Sequence, residues 1–309
     1  MTDDRWRRRL AMYGKILVCL DGSELAELAL PYAEELAGRL GSEVHLLSVG
    51  DSAEAEDYHK QEVYLEQVRE ATKRGAERYR GASSDGAVQV KGSVVVGRAA
   101  DEILDYGDKE GVGLIVMATH GRSGIRRWAL GSVAEKVVRA SKRPVVLVRA
   151  RGARGDLREK GVLNRVLVPL DGSKGSETVL PYVEELGAGL NPELVLMRVV
   201  SPIYPVYNAE QLVWEQTSRV GAENYLEEVA DGLRHKGMHV STDIREVDGD
   251  TAADEIVKLA DEIGADMVAM STHGQTGVRR WALGSVADKV LHGGNTPVMM
   301  VKIPGAAMV

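Results

Sequence analysis

The chain has 309 residues, enough for two ordinary domains, and its 44% apolar fraction excludes a wholly disordered protein. A formal net charge of −7 with a pI near 5.6 argues against a general DNA- or RNA-binding protein, because neutralising phosphates requires a basic surface. The single cysteine, Cys19, excludes an internal disulfide and a cysteine-based zinc cluster. The histidines are scattered through the sequence, so we expect no metal site.

Short apolar runs alternate with stretches of helical periodicity in the first half of the chain. The apolar runs predict strands buried on both faces, at 16–20, 44–49, 88–96, 114–118 and 144–149. The helical spacing predicts helices at 25–40, 57–80, 99–109 and 128–140. Pro31 falls inside the first of these helices. We interpret it as a kink, because Pro181 repeats it at the same offset in the second half.

The second half of the chain repeats the first. The segment MATHGRSGIRRWALGSVAEKV (117–137) returns almost unchanged as MSTHGQTGVRRWALGSVADKV (270–290), and ILVCLDGS (16–23) returns as VLVPLDGS (166–173). We therefore predict two domains, at 13–150 and 163–303, joined by a glycine-rich and charged linker at 151–162.

Strands that alternate with helices predict an α/β fold with parallel strands. The pattern favours two tandem flavodoxin-like doubly wound domains, each with a five-stranded parallel sheet in the order 3-2-1-4-5 and helices on both faces. Such sheets bind ligands beyond the carboxyl ends of their strands, where the strand order reverses. Asp21 follows the first strand, Val49 ends the second and His120 follows the fourth, so we expect these residues to line one crevice.

The loop after the fourth strand carries several glycines before a helix that opens near Ser132. Glycine lets backbone N–H groups approach an oxyanion, and a helix N-terminus adds unpaired donors with a partial positive charge. Gly121, Gly131 and Ser132 therefore favour a site for a di- or triphosphate. The same sequence also allows a purely structural interpretation, in which Ser132 and Glu135 form a capping box that closes the helix start.

The glycine spacing resembles a known family. Gly121, nine further residues and Gly131-Ser132 match the latter part of the universal stress protein nucleotide motif, G-x2-G-x9-G-[S/T], and the second copy matches it again. The strand that ends in LDGS, the LPYAEEL segment and the closing PVVLV strand are also similar to that family, so the resemblance extends over essentially the whole chain in tandem form. The first motif glycine is replaced by Ala118 and by Ser271. Either residue would be strained if the position required a positive φ, and the Ser271 hydroxyl can bond its own loop.

The resemblance implies one adenine-nucleotide site in each copy. In the first copy, Asp21 would accept the ribose hydroxyls or lie close to the adenosine, Val49 would meet the adenine edge through its backbone, and Met117 would pack near the base. The residues that would border the ribose or hold the phosphates through backbone N–H groups are Ala118, His120, Gly121, Gly131, Ser132 and Val133. The corresponding residues of the second copy are Asp171, Val199, Met270, Ser271, His273, Gly274, Gly284, Ser285 and Val286.

The same resemblance implies ATP or AMP as the bound nucleotide, with Mg²⁺ as a candidate companion, and a nucleotide-dependent regulatory role in a stress response. We expect turnover far below roughly one per minute, because no positioned general base is identifiable beside either histidine. Two alternatives stay open. One is a slow ATPase or adenylating enzyme of the nucleotide α-hydrolase-like group, although those enzymes usually carry an SGGxDS-like loop where this chain has LDGS. The other is a scaffold with vestigial pockets, which Ala118 and Ser271 favour.

The last strand of each copy, at 144–149 and 297–302, is apolar, and an apolar edge strand requires cover. Universal stress proteins commonly pair through this strand. The resemblance therefore implies an intramolecular pseudo-dimer through the last strands, with a further homodimer as an open alternative. The chain starts without the apolar stretch of a signal peptide, and its apolar runs are far shorter than the roughly 20 residues that span a bilayer. We expect a soluble cytoplasmic protein that binds neither membranes nor nucleic acid.

Overall fold

In a computed structural model, the chain divides into two compact units, Met1–Leu163 and Asn164–Val309. The structure describes residues 12–50, 54–80, 87–119, 130–149, 161–200, 219–247, 251–274 and 283–303. Val162, at the end of the predicted linker, donates its backbone N–H to Glu35 Oε2 of the first unit at 2.5 Å. This hydrogen bond fixes the end of the linker to the first unit.

The first unit contains a parallel sheet with the predicted flavodoxin-like strand order. Its strands are β1 (Lys15–Leu20), β2 (Glu43–Gly50), β3 (Val90–Val96), β4 (Leu114–Ala118) and β5 (Val145–Val148), in the spatial order β3-β2-β1-β4-β5. Its helices are α1 (Glu24–Glu27), α2 (Leu30–Leu40), α3 (Ala55–Glu77), α4 (Ala99–Glu110) and α5 (Ser132–Ala140). Helix α2 packs on α3, and α4 packs on α5. The fold class predicted from the sequence is confirmed.

The second unit repeats this arrangement. Its strands are β6 (Arg165–Pro169), β7 (Glu193–Val200), β8 (His239–Glu246), β9 (Met267–Ser271) and β10 (Val298–Val301), in the order β10-β9-β6-β7-β8. Its helices are a 3-10 helix (Ser176–Val179), α6 (Leu180–Leu190), α7 (Arg219–Arg234), α8 (Ala252–Glu262) and α9 (Ser285–Gly293). Each strand therefore has its counterpart in the first unit.

Strands β1 and β9 lie inside their sheets and are buried on both faces because their sequences are almost entirely apolar. Every residue of β1 after Lys15 is buried, and the side chains of Ile16, Leu17 and Val18 are completely inaccessible. Strand β9 is buried along its whole length. Parallel sheets covered by helices on both faces require this composition.

The single kinked helix predicted at 25–40 is wrong. The structure contains two helices there, and Pro31 is the second residue of α2. A proline in the first helical turn removes no intrahelical hydrogen bond, because the N–H groups of that turn have no partner within the helix. Pro181 occupies the same position in α6, after the 3-10 helix. The proline therefore starts a helix and does not bend one.

The first unit also holds a polar cluster at the sheet. His45 on β2 is fully buried, its Nδ1 lies 2.9 Å from the Tyr106 hydroxyl, and that hydroxyl lies 3.2 Å from Ser93 Oγ. His45 Nε2 lies 3.3 Å from Glu43 Oε1. Burial lowers the pKa of His45, and the nearby Glu43 carboxylate only partly offsets this effect. The corresponding residue of the second unit is Val195.

The low pKa of His45 predicts an acid-sensitive first unit. The unfolded chain takes up a proton near the ordinary histidine pKa of about 6.5, whereas the folded chain resists it. The His45 contribution is therefore complete above pH ~6.5 and is lost as the pH falls toward the lowered folded-state pKa. His45→Val should reduce the fall in unfolding free energy between pH 7 and 5, by at most about 1.4 kcal/mol per pH unit for one proton. Urea denaturation across this pH range measures the effect.

His59 provides the control for this experiment, because it lies exposed on α3 of the same unit. His59→Gln should leave the pH dependence of stability unchanged. Parallel pH profiles for the parent and His45→Val would contradict the role of His45.

Candidate functional site

The carboxyl ends of three neighbouring strands form one edge in the first unit. Strand β1 lies between β2 and β4, and the register pairs Leu20 with Ser48, directly before Asp21 and Val49. Ala118 is the last residue of β4, on the other side of β1. Because paired strands are about 4.8 Å apart, the sheet brings these three predicted residues to one edge.

The second unit builds the same edge from its own strands. The register pairs Pro169 of β6 with Met197 of β7, so Asp171 and Val199 follow at equal distances along the two strands. Ser271 ends β9, which borders β6 on its other side. The predicted residues of the second copy therefore meet as they do in the first.

An Asp-Gly-Ser turn orients the aspartate carboxylate in each copy. Ser23 donates its backbone N–H and its hydroxyl to Asp21 Oδ1, at 3.0 and 2.6 Å. The N–H of Ser173 donates to Asp171 Oδ1 at 2.9 Å. The glycine between them has a φ of 78° in the first copy and 82° in the second, a conformation that favours glycine. The side chain is thus held by its own turn before any ligand binds.

The glycine before the last helix of each copy is hydrogen-bonded to the residue that follows the fourth strand. The N–H of Gly131 donates to the carbonyl of Thr119 at 2.8 Å, and the N–H of Gly284 donates to the carbonyl of Thr272 at the same distance. These hydrogen bonds place the first turn of α5 beside the end of β4 and that of α9 beside the end of β9. Each helix N-terminus thus lies at the edge that carries the aspartate.

The helix predicted at 128–140 begins at Ser132, and the capping box that the sequence also allowed does not form. Gly131 is the N-cap residue of α5 and Ser132 is the first helical residue, so the serine hydroxyl does not occupy the capping position. Helix α9 starts in the same way after Gly284. Within the described part of the chain, no side chain caps either helix, whereas the Asp254 carboxylate accepts the N–H of Thr251 at 2.9 Å at the start of α8.

Gly274 lies directly against the carboxylate of Asp171. A Cβ built at Gly274 would overlap Asp171 Oδ2, so this close approach requires glycine. A Cβ at Gly284 would lie 3.2 Å from the carbonyl oxygen of Thr272, which is tighter than an ordinary contact. Two predicted glycines of the second copy are therefore fixed by the packing around the aspartate and the loop.

The substituted motif position needs no positive φ. Ala118 and Ser271 end strands β4 and β9, and in the described part of the chain Asn191 is the only non-glycine residue with a positive φ. The backbone strain considered for these two residues is therefore absent. Ser271 Oγ donates to the carbonyl of His273 at 2.6 Å, which confirms that the hydroxyl bonds its own loop. His273 Nδ1 lies 3.1 Å from Thr272 Oγ1.

The remaining predicted residues differ in exposure. Met117 and Met270 lie within strands and are only 5% and 6% exposed. The residues that open the two helices are more accessible, either exposed or half-buried: Ser132, Val133, Ser285 and Val286. His120 and Gly121 lie outside the described residues.

Sequence reasoning missed Arg198 on β7. It is 6% exposed and lies between Met197 and Val199 at the carboxyl edge of the second sheet. The signal was available, because Arg198 is the only charged residue in the otherwise apolar run LVLMRVV, where the first copy has Ser48. Arginine is almost never fully buried without a partner, so its surroundings are informative.

A cavity of about 440 Å³ opens in the second unit between the 3-10 helix, α6 and α7. Gly172 is among its lining residues, so the cavity adjoins the second Asp-Gly-Ser turn, but none of the predicted site residues lines it. Its lysines are paired with carboxylates, Lys174 with Glu177 at 2.8 Å and Lys236 with Glu184 at 2.5 Å. The sheet edge, where the predicted residues meet, is therefore a better candidate site than this cavity.

Comparison with known proteins identifies the family. The model of the universal stress protein family matches the chain twice, over residues 12–149 and 163–302. The chain belongs to the universal stress protein family.

Both single-domain and tandem universal stress proteins are similar to this chain. Universal stress protein YxiE from Bacillus subtilis is 32% identical and aligns over 45% of this chain and 100% of its own length. Universal stress protein Slr1230 from Synechocystis is 24% identical over 92% of this chain and 98% of its own. A universal stress protein structure from Archaeoglobus fulgidus shares the fold, with a TM-score of 0.65 at 22% identity, covering 94% of this chain and 98% of that one.

Among the described residues of this universal stress protein, no helix has a stretch long and apolar enough to cross a bilayer. No group of three or more histidine, cysteine, aspartate or glutamate residues among them is arranged to hold a metal ion.

The contact between Gly274 and Asp171 predicts a cost for any side chain at position 274 of this universal stress protein. Gly274→Ala should lower the unfolding free energy by about 1–2 kcal/mol, because the new Cβ forces Asp171 away from the hydrogen bond it accepts from Ser173. Chemical denaturation measures the change. Gly232→Ala is the matched control, since a Cβ there meets nothing within 4 Å and alanine favours α7. Equal stabilities of the two variants would refute the close contact.

Proposed function

We propose that this universal stress protein binds an adenine nucleotide, ATP or AMP, at the carboxyl edge of each sheet. We further propose that it acts as a nucleotide-dependent regulator in a stress response, with little or no turnover. The observation that carries the proposal is the meeting of a preoriented carboxylate, Asp171, with Gly274 and with the start of α9, which no described side chain caps.

The chemistry of this edge suits the parts of a nucleotide. A carboxylate that its own turn orients toward this edge suits hydroxyl donors, such as those of a ribose. The backbone N–H groups at the start of α9 carry a partial positive charge and suit phosphate oxygens. Val199 would present its backbone to the adenine edge, and Ser285 would add a hydroxyl to the phosphate donors.

The first copy supports the same proposal with the residues that are described. Asp21 has the same turn, Gly131 makes the same loop closure, and α5 begins at Ser132 as α9 begins at Ser285. Val49 lies beside Asp21 at the strand ends. A magnesium ion would be held chiefly by the phosphates of the nucleotide, with Asp21 or Asp171 as candidate protein ligands.

A regulatory role fits His273, the described histidine of the two candidate sites, better than catalysis does. General-base catalysis requires an imidazole within hydrogen-bond reach of the proton it removes, and that imidazole is usually oriented by a third group. His273 has its Nδ1 beside the hydroxyl of its neighbour Thr272, not beside a carboxylate. This contact suits a residue that positions the loop.

The binding test uses the two copies to control each other. Gly284→Val should abolish nucleotide binding in the second copy, because a branched side chain would fill the phosphate position and press on the Thr272 carbonyl. Gly131→Val should do the same in the first copy. Calorimetric titration with ATP and AMP should find two sites in the parent, one in each variant and none in the double variant.

Mass spectrometry of small molecules released from the heat-denatured protein should identify the nucleotide carried through purification. Binding that persists in the double variant would refute the sites. Steady phosphate release at several per second, lost in His120→Ala or His273→Ala, would favour an enzyme.

Because Ser271 makes a side-chain hydrogen bond that alanine cannot make, restoring the motif glycine should affect the two copies unequally. Ser271→Gly removes the bond to the His273 carbonyl that restrains the loop, so ATP affinity of the second copy should rise about 2- to 12-fold, the range for one net hydrogen bond. Ser271→Ala should raise the ATP affinity of the second copy by a similar factor, because it removes the same hydrogen bond. Ala118→Gly should change the affinity of the first copy by less than about twofold, because alanine is unstrained in β4. Titration of each copy with the other disabled distinguishes these cases, and equal responses in both copies would contradict the prediction.

A further inference from the structure

The guanidinium of Arg198 lies between a helix and the Asp-Gly-Ser turn of the second copy. On one side, its Cζ atom is 5.1 Å from the centre of the Tyr225 ring on α7, in a cation–π contact. On the other side, a Cβ built at Gly172 would lie 3.0–3.2 Å from its Nη1, Nη2 and Cζ atoms. Arg198 therefore packs directly under the residue that follows Asp171.

The first copy has the same framework without the cation. Tyr64 on α3 donates its hydroxyl to Glu27 Oε1 at 3.0 Å, as Tyr225 donates to Glu177 Oε1 at 3.3 Å. The residue that corresponds to Arg198 is Ser48, which is small, neutral and buried. The two copies therefore share this arrangement and differ in the charge at the position of Arg198 and Ser48.

The residues around the two Asp-Gly-Ser turns also differ in charge. The four corresponding positions of the first copy hold three carboxylates and a serine, and those of the second hold two carboxylates and two cations. The pairs are Asp21 and Asp171, Glu24 and Lys174, Glu27 and Glu177, and Ser48 and Arg198. The second copy is therefore the more positive at this edge.

The two cations of the second copy lie in very different surroundings. The Lys174 side chain is 95% exposed, so water and salt screen its charge. Arg198 is buried, and burial lowers its pKa while Tyr225 and Asp171 act in the opposite direction. A guanidinium stays charged at neutral pH even so. A buried charge acts over a longer distance than an exposed one, because the interior screens it less.

We propose that Arg198 is a specificity-determining residue of the second site, whose buried positive charge makes this site favour more highly charged nucleotides than the first site does. The proposal deepens the proposed function and rests on it. Arg198 acts through the electrostatic potential that its charge creates around Asp171, and it does not touch the ligand. The second copy should therefore prefer ATP to AMP, and AMP to adenosine, more strongly than the first copy.

The test compares the affinities of adenosine, AMP and ATP by calorimetry in a magnesium-free buffer. The second site is isolated with Gly131→Val and the first with Gly284→Val. Arg198→Ser, which introduces the residue of the first copy, should reduce the preference for ATP over adenosine roughly 3- to 30-fold. Arg198→Met, which keeps an unbranched side chain, should do the same, whereas Arg198→Lys should retain most of the preference. Lys174→Glu should change it by less than about twofold because of screening.

The outcomes separate this proposal from the one on which it rests. If adenosine, AMP and ATP fail to bind either copy of the parent, the proposed function is wrong and the specificity role falls with it. If they bind, and Arg198→Ser and Arg198→Met weaken all three ligands by one common factor, Arg198 only packs the turn and the specificity role is overturned. A second unit that unfolds in both variants would overturn it as well, because the guanidinium would then serve stability.

Discussion

The register between the first strand of each copy and its two parallel neighbours positions the described parts of both sites. Leu20 pairs with Ser48 on one side, and Cys19 pairs with Met117 on the other, so the three strands end together. A shift of one residue would turn the side chains of a strand to the opposite face. Because these strands are apolar on both faces, burial alone fixes their depth in the sheet only loosely.

The turn after the first strand and the helix after the fourth act together at that edge. The aspartate carboxylate accepts the N–H of its own turn, which orients it at this edge. Within the described residues, no side chain caps the helix start in either copy. An anionic ligand there would meet backbone donors at one end and the carboxylate at the other, which suits a molecule with a polar neutral part and a phosphate part.

The sequence was sufficient for those features that depend on local pattern and repetition. The buried strands, their parallel order and the position of Asp21 and Gly131 follow from apolar runs that end at Asp-Gly-Ser and from glycine spacing that occurs twice. The helix break before Pro31 was missed, because apolar periodicity continues across it and the proline was interpreted as a kink and not as part of the first turn of a new helix. Arg198 was missed because its meaning lies in contacts with Tyr225 and Gly172, which are distant in the sequence. The intramolecular pairing of the last strands stays a prediction.

The two copies show how one backbone can support two different sites. The turn glycines have nearly equal φ values, and the hydrogen bonds that Gly131 and Gly284 donate have equal lengths of 2.8 Å, so these described parts of the backbone are alike in both copies. Two described side chains differ between the candidate sites, and they act over unequal distances. The bond from Ser271 to the His273 carbonyl is local and restrains one loop, whereas the Arg198 charge extends beyond its contacts because it is buried. A duplicated domain can thus change the stiffness of a loop and the charge of a site separately, with the sheet register unchanged.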